Sequence, residues 1–363
     1  MRTAGGKVPL RIALNVDFEL ESATGVSRYG AELARQLSLA GHLAEIWMCR
    51  DRKGRPGALS GVDAPVRYFP FPRRLTDWIW PRLRRSSLDL DAVLCPAGRL
   101  LPFSAGPQAA MVHDLGPFLL PGLKEPEDER SWQRRIRRTV RQAALITVNS
   151  RSTLKDLSRL FPEAVARTVV TPLGIDHFSP SPSSGKRSHL LAVGTLEPRK
   201  NYTGLIRAYH SLCQEDGHLP PLVIAGKDGF RAEEVRGLPA GLGIADRVLF
   251  TGYVGEQRLE ELYRDAACLV HPALREGFGF TVPEAFAWGL PVAASSGSAT
   301  EELFHGAVEL FDPASIGEMA AAVRHCLDAG VTPKQQARRG ELFEELTWKS
   351  CAALTLKALE EAL

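Results

Sequence analysis

The sequence predicts an α/β protein built from two doubly wound halves, and three observations carry that expectation. Short apolar runs alternate with amphipathic helical stretches along the whole chain. The expected strands are near-continuous apolar segments, the pattern of parallel sheets covered on both faces. A Pro- and Ser-rich stretch from His177 to Ser188 interrupts the alternation midway through the 363 residues. Turn chemistry replaces periodicity there. The expected division is residues 1–178 for a first domain, 179–345 for a second and 346–363 for a closing segment.

Apolar runs bounded by turn residues give the strands, and apolar residues at helical spacing give the helices. In the first half, strands are expected at 10–16, 92–95, 109–112, 145–148 and 168–170, with a helix at 29–39. In the second half, strands are expected at 190–193, 222–225, 248–250, 268–270, 292–294 and 307–311, with helices at 202–212 and 283–288. Ligands of such folds lie at the carboxyl ends of strands, here near the cleft between the halves.

Composition narrows the classes further. Hydrophobic residues make up 44% and charged residues 24%, which fits a globular chain and argues against disorder. No apolar run approaches the ~18 residues of a spanning helix. The first ten residues lack the apolar core and cleavage site of a signal peptide. The six cysteines, at 49, 95, 213, 268, 326 and 351, never fall within four residues of each other. That spacing excludes zinc-ribbon and CxxC readings. Free thiols without an export signal favour the cytoplasm, with peripheral contact at the inner face of the membrane as the companion expectation. The net charge of +3 hides an asymmetry: residues 1–178 hold 27 Lys/Arg and 18 Asp/Glu, the remainder 18 and 24. The basic half fits an anionic partner.

The densest chemical signal is Arg275-Glu-Gly-Phe-Gly-Phe-Thr-Val-Pro-Glu284. Glu276 opens a Gly-rich turn after a strand, and Glu284 begins a helix with Pro283 at its first position. Two carboxylates and exposed backbone N–H groups suit the hydroxyls of a sugar or ribose. Glu284 alone would fit a helix N-terminal glutamate stabilised by the dipole. The second signal is Gly194-Thr-Leu-Glu-Pro-Arg199-Lys200-Asn201. It lies between a strand and a helix that Asn201 would cap. Two cations at a helix N-terminus favour a phosphate.

Lesser signals follow. Thr24-Gly25-Val-Ser-Arg28-Tyr29 puts Gly25 where its N–H would meet a phosphate, although a first strand-to-helix loop often carries a Gly for geometry alone. No GxGxxG occurs. His113, at a strand's carboxyl end, fits a polar or acid/base group in the cleft as well as a capped structural His. Asp89-Leu-Asp91 is expected as an exposed turn, and no other cluster has metal-ligand spacing, so no metal is expected. Residues 68–85 mix aromatics with cations, and 132–141 forms a basic helix with Trp132, Ile136 and Val140 on one stripe. Both fit docking on an anionic membrane surface. For the helix, a solvated face with core anchors fits equally. The acidic second half and the missing motifs argue against nucleic acid.

Taken in order, these motifs resemble the retaining glycosyltransferases of family 4, which have the GT-B fold. The resemblance rests on the Thr24-Gly25 loop, Val112-His-Asp-Leu115, Thr147-Val-Asn-Ser150, Pro172-Leu-Gly-Ile-Asp176, Gly194 to Asn201, Phe250-Thr-Gly-Tyr-Val254 and Glu276 to Glu284. It implies two Rossmann-like domains facing across a cleft, with a last helix after Thr347-Trp348 crossing back to the first. It further implies that Arg199 and Lys200 hold a donor diphosphate and that Glu284 binds the donor ribose. Glu276 and the amides of Gly277, Phe278 and Gly279 would meet the donor sugar, Gly25 the phosphates, and His113 the transferred sugar. Pro283 and Thr300 depart from the usual family wording, without removing a side chain that has an implied role.

The implied reaction is transfer of a sugar from a nucleotide-sugar donor to a glycan or lipid-linked acceptor in polysaccharide assembly, without cofactor or metal. The wording is most similar to mannosyltransferases, which favours GDP-mannose. The alternatives are a UDP-sugar-dependent transferase and a nucleotide-sugar epimerase or other enzyme on the same fold.

Overall fold

The computed structural model describes residues 8–16, 24–49, 57–69, 90–101, 106–179, 181 and 185–363. In the first half the order is β1 (Ile12–Asn15), α1 (Gly25–Leu39), β2 (Leu43–Cys49), β3 (Val66–Phe69), β4 (Ala92–Cys95), β5 (Gln108–Val112) and the short α2 (Gly116–Leu119). Then come α3 (Pro126–Gln142), β6 (Leu145–Val148), α4 (Arg151–Leu160) and β7 (Thr168–Val170). The second half runs β8 (His189–Val193), α5 (Tyr202–Glu215), β9 (Leu222–Ala225), α6 (Ala232–Gly241), β10 (Val248–Gly252) and α7 (Glu256–Asp265). It continues with β11 (Ala266–His271), α8 (Thr281–Ala287), β12 (Val292–Ser295), α9 (Ala299–Phe304), β13 (Glu309–Phe311), α10 (Ile316–Ala329) and α11 (Pro333–Glu345). The last element is α12 (Trp348–Ala362).

Two parallel sheets result, ordered β3-β2-β1-β4-β5-β6-β7 and β10-β9-β8-β11-β12-β13. Each reverses direction between its first and fourth strands, so the crevices lie beyond β1 and β4 and beyond β8 and β11. Alternate residues of one strand serve opposite faces. Ala13 and Ile146 pack into one core of the first half, while Ile12, Leu14 and Leu145 pack into the other. Leu190 and Leu191 divide the second sheet in the same way. The α12 helix returns to α1: Trp348 Nε1 donates to His177 Nδ1 at 2.9 Å, and its ring centroid lies 6.3 Å from that of Tyr29.

Several details differ from the sequence expectation. Strands β2 and β3 were not expected. Glu45 interrupts the apolar run of β2, and β3 is a four-residue edge strand, so neither carries the continuous apolar pattern. Across this edge Arg67 Nη2 pairs with Glu45 Oε1 at 3.0 Å. Helix α1 begins at Gly25, four residues before the expected start, because Thr24 Oγ1 accepts the Ser27 N–H. Helix α8 begins at Thr281, which puts Pro283 at the third helical position, still within the turn whose N–H groups need no partner. Asn201 precedes α5 in the left-handed region (φ 56°) and does not cap it with its side chain, which donates to Pro313 O instead. The expected strand at 307–311 shortens to β13, since the Ala307 carbonyl accepts two bonds from the buried Arg339.

The thiols of Cys213, Cys268, Cys326 and Cys351 are free. Most of the aromatic-basic stretch 68–85, and Asp89, lie outside the described residues. No described helix is long and apolar enough to cross a membrane. In α3, Ile136 and Val140 are buried in the first-half core, so the stripe expected on that helix is covered by the protein itself.

Candidate functional site

The loops beyond the two switch points meet. A Cβ added to Gly277 would lie 1.9 Å from the His113 carbonyl oxygen, backbone against backbone. One added to Gly25 would lie 2.8 Å from the Phe280 ring. Only glycine allows these approaches, and they bring the ends of β5 and α1 against the loop after β11.

Within the second half, the β8 loop and the β11 loop are tied together. Leu274 N–H donates to Arg199 O at 2.9 Å, and Arg199 Nη1 donates to Arg275 O at 3.0 Å. Three of the four side chains that the resemblance assigns to the diphosphate and the sugar therefore converge: Glu276 Oε1 lies 3.1 Å from Arg199 Nη1 and is also paired with Lys200 Nζ. Burial alone would push the Glu276 carboxyl up, but Arg199 and Lys200 hold it well below the usual range. Burial would likewise lower Arg199, yet Glu276, Asp114 and Glu197 keep it charged. Beside them, burial brings the His271 imidazole down to about 4.

The fourth residue, His113, sits just past β5, and its Nε2–H donates to Pro96 O at 2.8 Å. Its ring packs edge-on against Tyr29 with centroids 5.5 Å apart. Burial lowers its pKa, so the ring is neutral near pH 7, with Nδ1 as the unprotonated nitrogen. Proton donation from Nε2 would break the Pro96 bond, which leaves Nδ1 the chemically available atom.

Glu284, in the first turn of α8, forms a second polar centre. Its Oε2 accepts from the Tyr263 hydroxyl at 2.7 Å, and its Oε1 lies 3.7 Å from Arg28 Nη1 of the first half. Burial raises the Glu284 carboxyl, opposed by that hydroxyl bond and by Arg28. A cavity of about 330 Å³ opens here, lined by Arg28, His177, Tyr263, Glu284 and Trp288 among others. Burial and Arg28 bring His177 down to about 3, so its ring is neutral. Trp348 donates to Nδ1, which puts the ring proton on Nε2, facing Arg28 Nη1 at 2.8 Å. Two donors meet at that contact, so the carboxylate of Glu284 is the partner that attracts Arg28.

In the glycine loop, Phe278 is 4% exposed and packs on Phe280 and Phe304, so this residue offers only its backbone. Gly279 has φ 89°. Gly25 opens α1 under the Phe280 ring.

Sequence reasoning missed several side chains that the fold gathers here. Glu197 Oε1 accepts from Arg199 at 2.9 Å, and its Oε2 lies 3.4 Å from Lys124 of the first half. Asp114 adds its charge beside Arg199. Glu197 and Asp114 stand in the quoted motifs and Arg28 in the first loop, so a signal existed for these. Lys124 and Tyr263 carry none, since each arrives from a separate element. Among the described residues, no three His, Cys, Asp or Glu side chains are grouped as a metal site requires.

A doubly wound pair with loops meeting at facing switch points is the GT-B architecture, and the comparisons with known proteins give the family. The family model Glycosyltransferase Family 4 matches residues 23–177, and Glycosyl transferases group 1 matches 176–342. The chain is 25% identical over 363 residues to the O-antigen chain mannosyltransferase B of Escherichia coli, covering 92% of this chain and 95% of that protein. It is 30% identical over 241 residues to the MMP alpha-(1->4)-mannosyltransferase of Mycolicibacterium hassiacum, covering 64% of this chain and 56% of that one. Among solved structures, Anabaena Alr3699/HepE in complex with UDP and glucose matches with a TM-score of 0.70 at 16% identity. That match covers 97% of this chain and 100% of that one. The protein belongs to the GT-B glycosyltransferases of family 4, and it is a glycosyltransferase with mannosyltransferase relatives.

Proposed function

We propose that this enzyme transfers a sugar, mannose favoured, from a nucleoside-diphosphate sugar to a glycan or lipid-linked acceptor in cell-surface polysaccharide assembly, with retention of configuration. GDP-mannose is the favoured donor. The observation that carries this reading is the convergence of Arg199 and Lys200 on Glu276 at the β8 and β11 crevice. Without ligand, Glu276 pairs with both cations and Glu197 pairs with Arg199 as well. A diphosphate entering the crevice competes for the same cations, whose charge then stabilises the departing diphosphate without a metal. Glu284 and the cavity beside it fit a ribose, and the Gly277 and Gly279 amides fit the sugar. Gly25 N–H, at the start of α1, fits the phosphates.

The sugar–phosphate bond breaks as the acceptor oxygen bonds to the same face, and the acceptor proton passes to the departing diphosphate. Glu276 is no covalent nucleophile in this scheme. Its contacts to two cations stabilise the carboxylate and lower its nucleophilicity. Peripheral contact with an anionic membrane through the basic first half belongs to the same proposal, and vesicle co-sedimentation tests it.

The principal test is a melting panel of GDP, UDP and their sugars, followed by a transfer assay with and without EDTA and determination of the product anomer. GDP alone raising the melting temperature, with EDTA-insensitive transfer of the α-configured sugar, is the expected result. A shift by UDP alone overturns the donor assignment. Release of free nucleotide without transfer to any acceptor counts against the transferase reading.

A further inference from the structure

Away from the donor crevice, the first half holds a concave basic pocket. A cavity of about 380 Å³ is lined by Arg99, Arg134, Arg135 and Arg138, with Trp132 as its apolar wall and Asp128 as the opposing carboxylate. Three of the four guanidiniums come from one stretch of α3. Arg134 and Arg138 stand one turn apart, a like-charge spacing that destabilises a helix. Among the described residues neither has a carboxylate within ion-pair distance. Among the described residues Arg138 bonds only to the neutral Gln142 Oε1 at 3.0 Å and the Leu101 carbonyl at 3.5 Å.

The pocket shares a wall with cavities that reach the cleft. Trp132 also lines two smaller cavities, one reaching His113 and Asp114 and the other reaching Asp114 and Arg199. Arg135 lies 4.5 Å from the Trp132 ring centroid and Lys124 lies 5.4 Å from it, and Lys124 continues to Glu197 beside Arg199. Trp132 therefore stands between the arginine pocket and the cavities lined by His113, Asp114 and Arg199.

We infer that this pocket binds an anionic group, a phosphate, of the acceptor substrate, and so seats the acceptor hydroxyl toward His113 and the donor. The inference rests on the transferase reading and adds the acceptor's charge to it. Guanidiniums match phosphate oxygens two at a time, and a pocket of this size takes a phosphate with an adjoining sugar or prenyl unit. The shape argues against a flat bilayer as the occupant. The first turn of α3 carries Glu127, Asp128 and Glu129, which an anionic surface repels, and the apolar stripe of the helix is buried in the core.

The test titrates the protein with mannose 6-phosphate, geranyl phosphate, unphosphorylated mannose and geraniol. The readout is the tryptophan fluorescence lost in the Trp132→Phe variant. Both phosphates are expected to bind and both neutral probes to fail. The tighter phosphate identifies the source as a phosphorylated glycan or a lipid phosphate. Arg134→Gln with Arg138→Gln weakens phosphate binding at least tenfold, whereas Arg199→Gln leaves it in place. The single variant Arg134→Glu, at an exposed position, gives the same direction without a folding risk. Binding that survives the arginine variants but is lost in Arg199→Gln overturns the inference, because the probe then sits in the donor crevice. Phosphatidylglycerol vesicles binding through Arg134 and Arg138, with neither small phosphate bound, also overturns it. The melting shift with GDP, UDP and their sugars is measured in parallel. Its absence from the wild type sinks the donor reading while the fluorescence titration still reports on the pocket.

Discussion

Replacing Glu276 with Gln keeps the side-chain shape and removes one buried charge. Arg199 retains Glu197 at 2.9 Å, but Lys200 loses its carboxylate partner. Removing one partner of a buried pair costs about 3–5 kcal/mol. The Glu276 side chain is 12% exposed and those of its cations 15–17%. The lower end applies, and about 3 kcal/mol lowers the melting temperature of a domain this size by roughly 6–12 °C. The same substitution removes the anion that competes with a diphosphate for the two cations. GDP or UDP therefore binds Glu276→Gln at least about tenfold more tightly than the wild type, or about 1.4 kcal/mol, and restores much of the lost stability, while sugar transfer falls.

Differential scanning calorimetry with and without nucleotide, and isothermal titration, read both effects. Acid adds a further signature. The folded pKa of Glu276 lies below its ordinary value of 4.5. Its stabilisation is thus complete above that value and is lost as pH falls toward the folded one. The wild type shows this acid limb and the variant lacks it. A variant that melts like the wild type and binds diphosphates no more tightly would show that the Arg199–Lys200–Glu276 cluster is not the anion seat.

Other perturbations test other parts of the site. Tyr263→Phe removes the 2.7 Å bond to Glu284, worth about 1.5–3 kcal/mol for a charged acceptor. Nucleotide affinity should fall roughly tenfold to a hundredfold, most steeply at acid pH, where the already raised Glu284 protonates. Gly277→Ala drives a Cβ into the His113 carbonyl, with no flexible atom to yield. Transfer should fall by about a hundredfold or more, since a misplacement of about 1 Å is enough, with donor binding measured separately by calorimetry. Glu302 accepts the Arg151 and Ser152 amides at the start of α4, across the two halves. Glu302→Gln should weaken that cap by about 0.5–2 kcal/mol. Small-angle scattering should then show a larger radius of gyration without ligand, with KM raised more than kcat lowered.

The parts of this protein legible in the sequence are those that depend on neighbours along the chain. The strands Ala92–Cys95, Leu145–Val148, Thr168–Val170 and Leu222–Ala225 stand at the expected residues. The first, second and fourth of these are short and buried along their whole length, and Thr168–Val170 is a half-buried, β-branched edge strand, so local composition carries the signal in each. Strands β2 and β3 escaped because one carries a charge and the other lies at the edge. The start of α1 and the role of Asn201 went astray because caps depend on backbone conformation, which a residue's type only biases.

The site divides along the same line. Glu276, Glu284, Arg199 and Lys200 announce themselves in two motifs, because glycines, carboxylates and paired cations beside a strand end have few purely structural uses. Their ionisation is decided elsewhere. Glu276 is held ionised by cations 76 and 77 residues away in sequence, whereas Glu284 is pushed the other way by burial beside Tyr263 and Arg28. Two glutamates of one motif thus take opposite shifts, because desolvation and Coulomb interactions depend on distance in space. The sequence by itself determined the doubly wound halves and the two motifs that carry the paired cations and the two glutamates. Only the tertiary structure decided which charges meet, and that Lys124, Asp114 and Arg28 from the first half complete the surroundings of residues in the second.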